Sequence, residues 1–218
     1  MDEINEVDAE EDERILRVEG DEKLNQLRGS GRPIHEDPEF EQAKAKGELD
    51  GNYEYVRVQD VVSTANAVRG TRNTVFAEGV SANDIRQGAL GDCYLLSAMS
   101  IIAHTRPDLI KKIFHPDSRV YRNEGLYSIM LYQGKIPHVI SVDDKFLVSS
   151  SSKTHAFVRL CTDKKSNERE IWPLLVEKAY AKFHGSYGNI EGGHVHTALE
   201  ELTNGAGQRW SLRDKTVE

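Results

Sequence analysis

The feature that most constrains the fold is a helical pattern of apolar residues that starts directly at a cysteine. The segment QGALGDCYLLSAMSIIAHTRP covers residues 87–107 and contains Cys93. Apolar side chains then recur at spacings of three and four: Leu95, Leu96, Met99, Ile102 and Ala103. Such spacing is typical of one face of an α-helix, and Pro107 predicts that the helix ends before it. The sequence therefore predicts a helix that begins near residue 93 and buries one side in a core.

The turn before this helix gives Cys93 two alternative roles. Gly88 and Gly91 permit tight turns, and Asp92 is of a type that caps a first helical turn. The positive end of the helix dipole favours a thiolate, so Cys93 could be a nucleophile. Gln87 could donate a hydrogen bond near the sulfur, where acyl transfer develops an oxyanion. The alternative is a buried core thiol, which is the commoner role of a lone cysteine.

Composition excludes several classes of protein. The 218 residues suffice for one sizeable domain or two small ones, and no apolar run approaches the roughly 20 residues of a transmembrane segment. The N-terminal sequence MDEINEVDAEEDE has neither the basic nor the apolar region of a signal peptide. Cys93 and Cys161 provide no disulfide framework. We therefore expect an intracellular, cytoplasmic protein.

The acidic charge is concentrated at the N-terminus. The net charge is −8, yet residues 1–50 hold 17 acidic and 7 basic side chains, and the remainder is nearly balanced. Nothing here indicates a nucleic-acid-binding surface. Residues 1–30 show no regular apolar stripe, so we predict an acidic, partly disordered N-terminal extension over residues 1–70. This extension is either a solvated, partly helical segment or an inhibitory or docking arm.

Residues 71–218 carry the pattern of a folded α+β domain, mainly helical with a small antiparallel sheet. LYSIML and HVISV, at residues 126–131 and 138–142, flank a turn and predict a β-hairpin. A third strand is predicted at residues 157–160. A helix is predicted over residues 172–183, with Pro173 in its first turn and Gly185 at its C-terminal cap. HTALEELTNG predicts one more short helix.

Four further residues bear on metal or thiol chemistry. Asp84, in SANDIRQ, is either a turn or cap residue or a calcium ligand together with loop carbonyls, and the residues alone favour the turn. His194 and His196 could bind a metal with Glu200 or Glu201, but structural zinc sites use three or four ligands at defined spacing, so a solvated loop is favoured. Cys161 lies at the end of a predicted strand and is interpreted as structural.

Four segments in order resemble one known family. QGALGDCYLLSA, VISVDDKFLV, EIWPLLVEKAYAKFHGSYGNIEGG and ALEELTNG, between about Phe76 and Gly205, resemble the protease core of calpains, the intracellular calcium-dependent cysteine proteases. The resemblance implies a papain-like cysteine proteinase fold, of which this chain matches the nucleophile lobe, and it implies protein substrates. It assigns Cys93 as nucleophile and Gln87 as oxyanion-hole donor. It also implies a calcium site formed by Asp84 with carbonyls near Ala77 and Gly79.

The chain departs from the family pattern in three respects. Tyr94 stands where the family usually has Trp, which keeps an aromatic ring beside the cysteine. Gly188 stands where many calcium-regulated members carry a carboxylate, so calcium binding is expected to be weak, with Glu191 as a candidate substitute. The family's catalytic His and Asn belong to a second lobe that follows the segment resembling ALEELTNG.

This chain ends at Glu218, so we expect the second lobe to be absent from it. The sequence thus predicts the nucleophile lobe of a calpain-like endopeptidase, as a fragment or truncated form that is inactive alone. The alternative is a calpain-like binding or regulatory module that has lost catalysis. Substrate preference and oligomeric state are left open by the sequence.

Overall fold

The computed structural model describes residues 2–32, 34–37, 40, 52–60, 72–77, 79–88, 90–150, 155–158, 161–162 and 168–207, without the side chains of 2–8, 161 and 162. The helices in these ranges are α1 (Asp2–Gly29), α2 (Cys93–Thr105), α3 (Pro107–Lys112), α4 (Trp172–Phe183) and α5 (Val195–Thr203). The strands are β1 (Tyr53–Arg57), β2 (Arg72–Thr74), β3 (Leu126–Gln133), β4 (Ile136–Asp143), β5 (Lys145–Ser149), β6 (Cys161–Thr162) and β7 (Glu168–Glu170). Short 3₁₀ turns cover Ala82–Asp84, Pro116–Arg119 and Gly188–Ile190. This mixture of helices and small sheets confirms the α+β prediction.

The described strands form three small sheets. Strands β3 and β4 form the predicted hairpin, in which Leu126 pairs with Asp143 and Gln133 with Ile136. Its turn residues Gly134 and Lys135 both have positive φ, as a tight hairpin turn requires. Strand β1 pairs antiparallel with β5, and β7 pairs parallel with β2 and antiparallel with β6. One small antiparallel sheet was therefore too simple a prediction, because the parallel pairing joins segments 96 residues apart.

The predicted helices are largely confirmed, and the third predicted strand is not. Helix α2 starts at Cys93 and stops before Pro107, but Pro107 also starts helix α3. Helices α4 and α5 match the two later predictions, and Asn204 ends α5 in the left-handed conformation. Residues 157–158 form a bend rather than a strand, and residues 159–160 lie outside the described ranges.

Strand β3 is buried on both faces because α1 covers the face turned away from the main core. Tyr127, Ile129 and Leu131 point into the main core, and the alternate residues of β3 meet α1. Leu16 packs with Met130 and Tyr132, and Leu24 and Leu27 pack with Leu126. Along the described ranges, no helix combines the length and apolar character needed to cross a membrane.

The predicted extension is joined to the domain by strand β1 as well as by helix α1. Strand β1 pairs along its length with β5, and the Arg57 side chain donates two hydrogen bonds to the buried Asp144 carboxylate, at 2.8 and 2.9 Å. Val58 follows in the main core. Segments on both sides of residue 70 therefore contribute to one folded unit.

Helix α4 runs through the centre of this unit, and its charged side chains have buried partners. Lys178 is fully buried and donates to the Asp143 carboxylate and to the Lys145 carbonyl. Lys182 pairs with the Asp37 carboxylate at 2.8 Å. These bonds tie the hairpin and the segment around Asp37 to α4, since an unpaired buried charge would be costly.

Candidate active site

Cys93 is exposed and is the first residue of α2. The turn before it is held on two sides by close backbone contacts. A Cβ on Gly88 would lie 1.7 Å from the Phe157 carbonyl oxygen, so only glycine fits at this position. The Gly91 carbonyl accepts a hydrogen bond of 2.9 Å from the Gly192 amide. The thiol thus stands at the N-terminus of a helix, on a turn with little freedom to move.

Asp92 precedes the cysteine as the N-cap residue, but its side chain does not cap the helix. Its main-chain carbonyl accepts hydrogen bonds from the amides of Leu95 and Leu96, at 2.8 and 3.2 Å. The carboxyl group instead points inward, is 1% exposed, and meets the carboxyl of Glu177 on α4. The capping role predicted for Asp92 was therefore wrong, because its carboxyl is engaged by a residue 85 positions further along the chain.

Gln87, the predicted oxyanion-hole donor, lies in the same turn. Its side-chain amide donates a long hydrogen bond of 3.4 Å to the Leu90 carbonyl. This contact places the amide on the cysteine-bearing turn and holds it only weakly. A stronger acceptor, such as a developing oxyanion, could compete with the carbonyl. The oxyanion role of Gln87 stays a prediction.

Tyr94 anchors the other side of the site. A Cβ on Gly193 would lie 2.5 Å from the Tyr94 ring, so the Gly192–Gly193 loop rests directly on this aromatic face. Tyr94 packs edge-on against Tyr180, with 6.4 Å between the ring centroids. The Tyr180 hydroxyl donates to Glu201, whose carboxylate also lies 3.2 Å from His184 Nε2. The ring beside the cysteine therefore packs on Tyr180, which a partly buried hydrogen-bonded chain holds in place.

Asp84, the predicted calcium ligand, stabilises the 3₁₀ turn Ala82–Asp84 by accepting hydrogen bonds. Its Oδ2 accepts hydrogen bonds from the Ser81 amide and from the Trp172 indole, at 2.8 and 3.1 Å. Ser81 and Asp84 together form a capping box around the 3₁₀ turn. The turn interpretation that the residues favoured is thus supported, and calcium binding at Asp84 stays a prediction.

The proposed calcium donor set supplies fewer oxygens than calcium prefers. Calcium takes six to eight oxygen ligands, and the prediction offers Asp84 and the carbonyls near Ala77 and Gly79. Sequence reasoning missed Glu170, whose carboxylate accepts a 2.6 Å hydrogen bond from the Ala77 amide. Glu191, the candidate substitute for the residue at Gly188, lies against Gly91 beside the cysteine turn.

Comparison with known proteins decides the family. Residues 35–218 match the model of the calpain family of cysteine proteases. The chain belongs to this family. Relatives include calpain-type cysteine protease ADL1 of Oryza sativa subsp. japonica, calpain-10 of Rattus norvegicus and calpain-B of Drosophila melanogaster. Their identities are 36% over 166 residues, 30% over 161 and 29% over 187, covering 76%, 72% and 83% of this chain.

This calpain-family chain spans only 7%, 22% and 18% of the lengths of those three relatives. The family match starts at residue 35, so the whole of α1 precedes it. Membership supports a cysteine peptidase with Cys93 at the helix start. Because the chain covers so little of these relatives, family membership does not establish the activity of a whole protein.

Among the described residues, one cluster brings three metal-type ligands together, away from the cysteine. Atoms of Asp21, His115 and Asp117 lie within 4.8 Å of one another. The Asp117 amide donates to His115 Nδ1 at 3.2 Å, so the ring proton resides on Nε2. Nε2 faces Asp21 Oδ1 at 3.4 Å and would have to lose that proton to bind an ion. The cluster is better explained as a contact that holds α1 on the domain.

His194, His196 and Cys161 are the remaining candidate residues. His194 is the exposed N-cap residue of α5, and its ring stacks on that of His196 at 5.3 Å. These two histidines therefore pack on one another at the start of a helix. The side chain of Cys161 lies outside the described residues, so its structural role stays a prediction.

Proposed function

We propose that this chain supplies the nucleophile lobe of a papain-like, calpain-type cysteine endopeptidase acting on proteins in the cytoplasm. One observation carries the proposal. Cys93 is exposed at the N-terminus of α2, on a turn fixed by Gly88 and by the hydrogen bond between Gly91 and Gly192. A helix N-terminus favours the thiolate, which is the attacking form of cysteine.

The proposed chemistry divides the reaction between two lobes. The Cys93 sulfur attacks the carbonyl carbon of the scissile peptide bond, and the carbonyl oxygen gains negative charge. The Gln87 amide donates a hydrogen bond to that oxygen. The leaving amine then needs a proton, which a general acid must supply. By resemblance, that acid is a histidine oriented by an asparagine, both from a second lobe.

The candidate calcium site offers few ligand oxygens. Asp84 already accepts two hydrogen bonds through one carboxylate oxygen, and Gly188 has no side-chain oxygen. Affinity for calcium follows the number and charge of the ligands. We therefore propose that any calcium binding by this chain is weak.

The proposal is tested by the relative reactivity of the two thiols. The folded protein is treated with limiting iodoacetamide and the adducts are mapped by mass spectrometry. Cys93 should be labelled about tenfold faster than Cys161, because it is exposed at the start of a helix, a setting typical of reactive cysteines. The same reaction in concentrated urea is the control, where both thiols should react equally. Faster labelling of Cys161 in the folded protein would rule out Cys93 as the activated nucleophile.

A further inference from the structure

Two buried carboxyl groups meet directly behind the nucleophile. Asp92 is the residue before Cys93, and Glu177 lies on α4; their exposed fractions are 1% and 0%. Asp92 Oδ2 is buried and receives no hydrogen bond from an amide or hydroxyl of the described ranges. Both oxygens of Glu177 lie close to the Val158 amide, at 3.1 and 3.2 Å. The carboxyl groups of Asp92 and Glu177 lie close enough that each affects the pKa of the other.

Two carboxyl groups can form a hydrogen bond only when one of them carries a proton. Burial raises the pKa of Glu177 well above its ordinary value, and the negative charge of Asp92 raises that pKa further. Burial also raises the pKa of Asp92, but its hydrogen bond to Glu177 opposes that rise. The shared proton therefore belongs on Glu177, and the charge belongs on Asp92.

Within the described part of the chain, the charges that act on the pair are negative. Glu191, in the loop after the 3₁₀ turn Gly188–Ile190, acts on Asp92 as a second negative charge. Tyr187, at the start of that turn, is buried and faces both carboxyl groups. Tyr94, on α2, experiences the charge of Asp92. The two tyrosines are neutral, and the negative charge of Glu191 favours retention of the proton by the pair.

We propose that Glu177 is a positioning residue for Cys93, acting as a neutral acid whose O–H donates to the Asp92 carboxylate and holds the start of α2. This inference rests on the proposed role of Cys93 as nucleophile. The side-chain carbonyl oxygen of Glu177 accepts a hydrogen bond from the Val158 amide. This bond links the segment at residues 155–158 to the same pair of carboxyl groups. Glutamine has the same donor and acceptor arrangement as a protonated glutamate.

The experiment compares Glu177→Gln, Glu177→Leu and the control Glu19→Gln, all in a Cys161→Ser background. The rate of iodoacetamide alkylation of Cys93 is measured between pH 5.5 and 9, and the melting temperature between pH 5 and 8. Glu19→Gln removes an exposed carboxylate of α1, outside the site. It should keep the parent's alkylation profile and show no melting-temperature gain that grows with pH.

Glu177→Gln should preserve the alkylation rate near neutral pH to within about twofold, because it preserves both hydrogen bonds. Its melting temperature should rise relative to the parent as pH increases from 5 to 8. In the parent, the folded state keeps a proton on Glu177 that the unfolded chain releases above about pH 4.3. This loss of stability with rising pH is present in the parent and absent from Glu177→Gln.

Glu177→Leu removes the donor, so the buried Asp92 carboxyl should bind the proton itself and lose its charge. The midpoint of the alkylation profile should then shift to lower pH by about half a unit or more, because a negative charge beside the thiol has gone. If Glu177→Leu fails to fold, the Glu177→Gln measurements decide alone.

Three results would overturn the proposal: a melting-temperature difference for Glu177→Gln that is independent of pH, an unchanged midpoint in folded Glu177→Leu, or the same midpoint shift in Glu19→Gln. None of these measurements requires peptide hydrolysis. Failure of the proposed function would appear separately, as preferential labelling of Cys161 in the native protein.

Discussion

At the scale of single residues, His155 makes the protein sensitive to acid. Its ring is buried, packs edge-on to Phe146, and neither ring nitrogen has a hydrogen-bond partner in the described ranges. Burial lowers the pKa of His155 to about 4, and the positive charge of Arg169 lowers that pKa too. The unfolded chain binds this proton below about pH 6.5, whereas the folded state resists it. Stability is therefore full above pH 6.5 and falls by about 3 kcal/mol as pH approaches 4.

We expect His155→Leu to lose less stability than the parent between pH 7 and pH 4.5. Urea unfolding at both pH values measures this difference, with the exposed His104→Leu as the matched control. Because Glu177 changes stability in the opposite direction over this range, the variants must be compared with the parent at each pH. Equal acid sensitivity of His155→Leu and the parent would contradict the expectation.

The residues of the site divide into those that the sequence could and could not predict. Cys93 was predicted at a helix start because local spacing, glycines and Pro107 all lie within 20 residues of it. The inward turn of Asp92 was not predicted, since it depends on Glu177 on a distant helix. A buried Glu177 also contradicts ordinary helix patterning, in which a glutamate on an amphipathic helix faces water.

At the scale of secondary-structure elements, α1 is held by a few buried side chains. Leu16 is buried against Met130 and Tyr132, while Val18, two residues later, is 54% exposed. Leu16→Ala should cost about 2–5 kcal/mol of unfolding free energy through the cavity it leaves. Val18→Ala is the matched control and should cost less than about 0.5 kcal/mol. Urea denaturation measures both, and equal effects would show that α1 does not contribute to the stability of the domain.

The absence of a regular apolar stripe in residues 1–30 suggested no buried face, and that interpretation was wrong. Leu16, Leu24 and Leu27 lie on one buried face of α1. The gap between Leu16 and Leu24 is occupied by Gly20, where a Cβ would lie 2.5 Å from the His115 ring. Gly20 interrupts the apolar pattern but allows α1 to approach the His115 ring closely. The periodicity of apolar residues alone therefore could not reveal the buried face of α1.

The 3₁₀ turn at Ala82–Asp84 gives a prediction that separates structure from calcium binding. Asp84→Ala leaves the Ser81 amide and the Trp172 indole without their acceptor, and should cost about 1–3 kcal/mol. Asp84→Asn keeps an oxygen acceptor and should be nearly as stable as the parent. Calorimetric titration with calcium should show weak binding in both the parent and Asp84→Asn. Tight binding that disappears in Asp84→Asn would establish the calcium site and contradict our expectation.

At the scale of the whole molecule, local patterns predicted the elements better than their arrangement. The β3–β4 hairpin was predicted because its partners are adjacent in sequence. The pairing of β1 with β5 and of β2 with β7 joins segments about 90 residues apart. Such pairings depend on tertiary contacts that no short window contains. Resemblance to the calpain family supplied the order of the segments, and membership in that family is now shown.

The protein of residues 1–218, by itself, should not turn over a peptide. Its family resemblance places the catalytic histidine and asparagine in a second lobe, and losing a general acid–base costs about 10²–10⁴-fold in rate. Loss of the second wall of the cleft adds a loss of substrate positioning. His184 is already within 3.2 Å of Glu201, and the rings of His194 and His196 stack on each other. The measurement is hydrolysis of a fluorogenic peptide at saturating calcium, with Cys93→Ala as the blank. Cysteine-dependent hydrolysis that is also abolished by His194→Ala or His196→Ala would show instead that this lobe carries its own base.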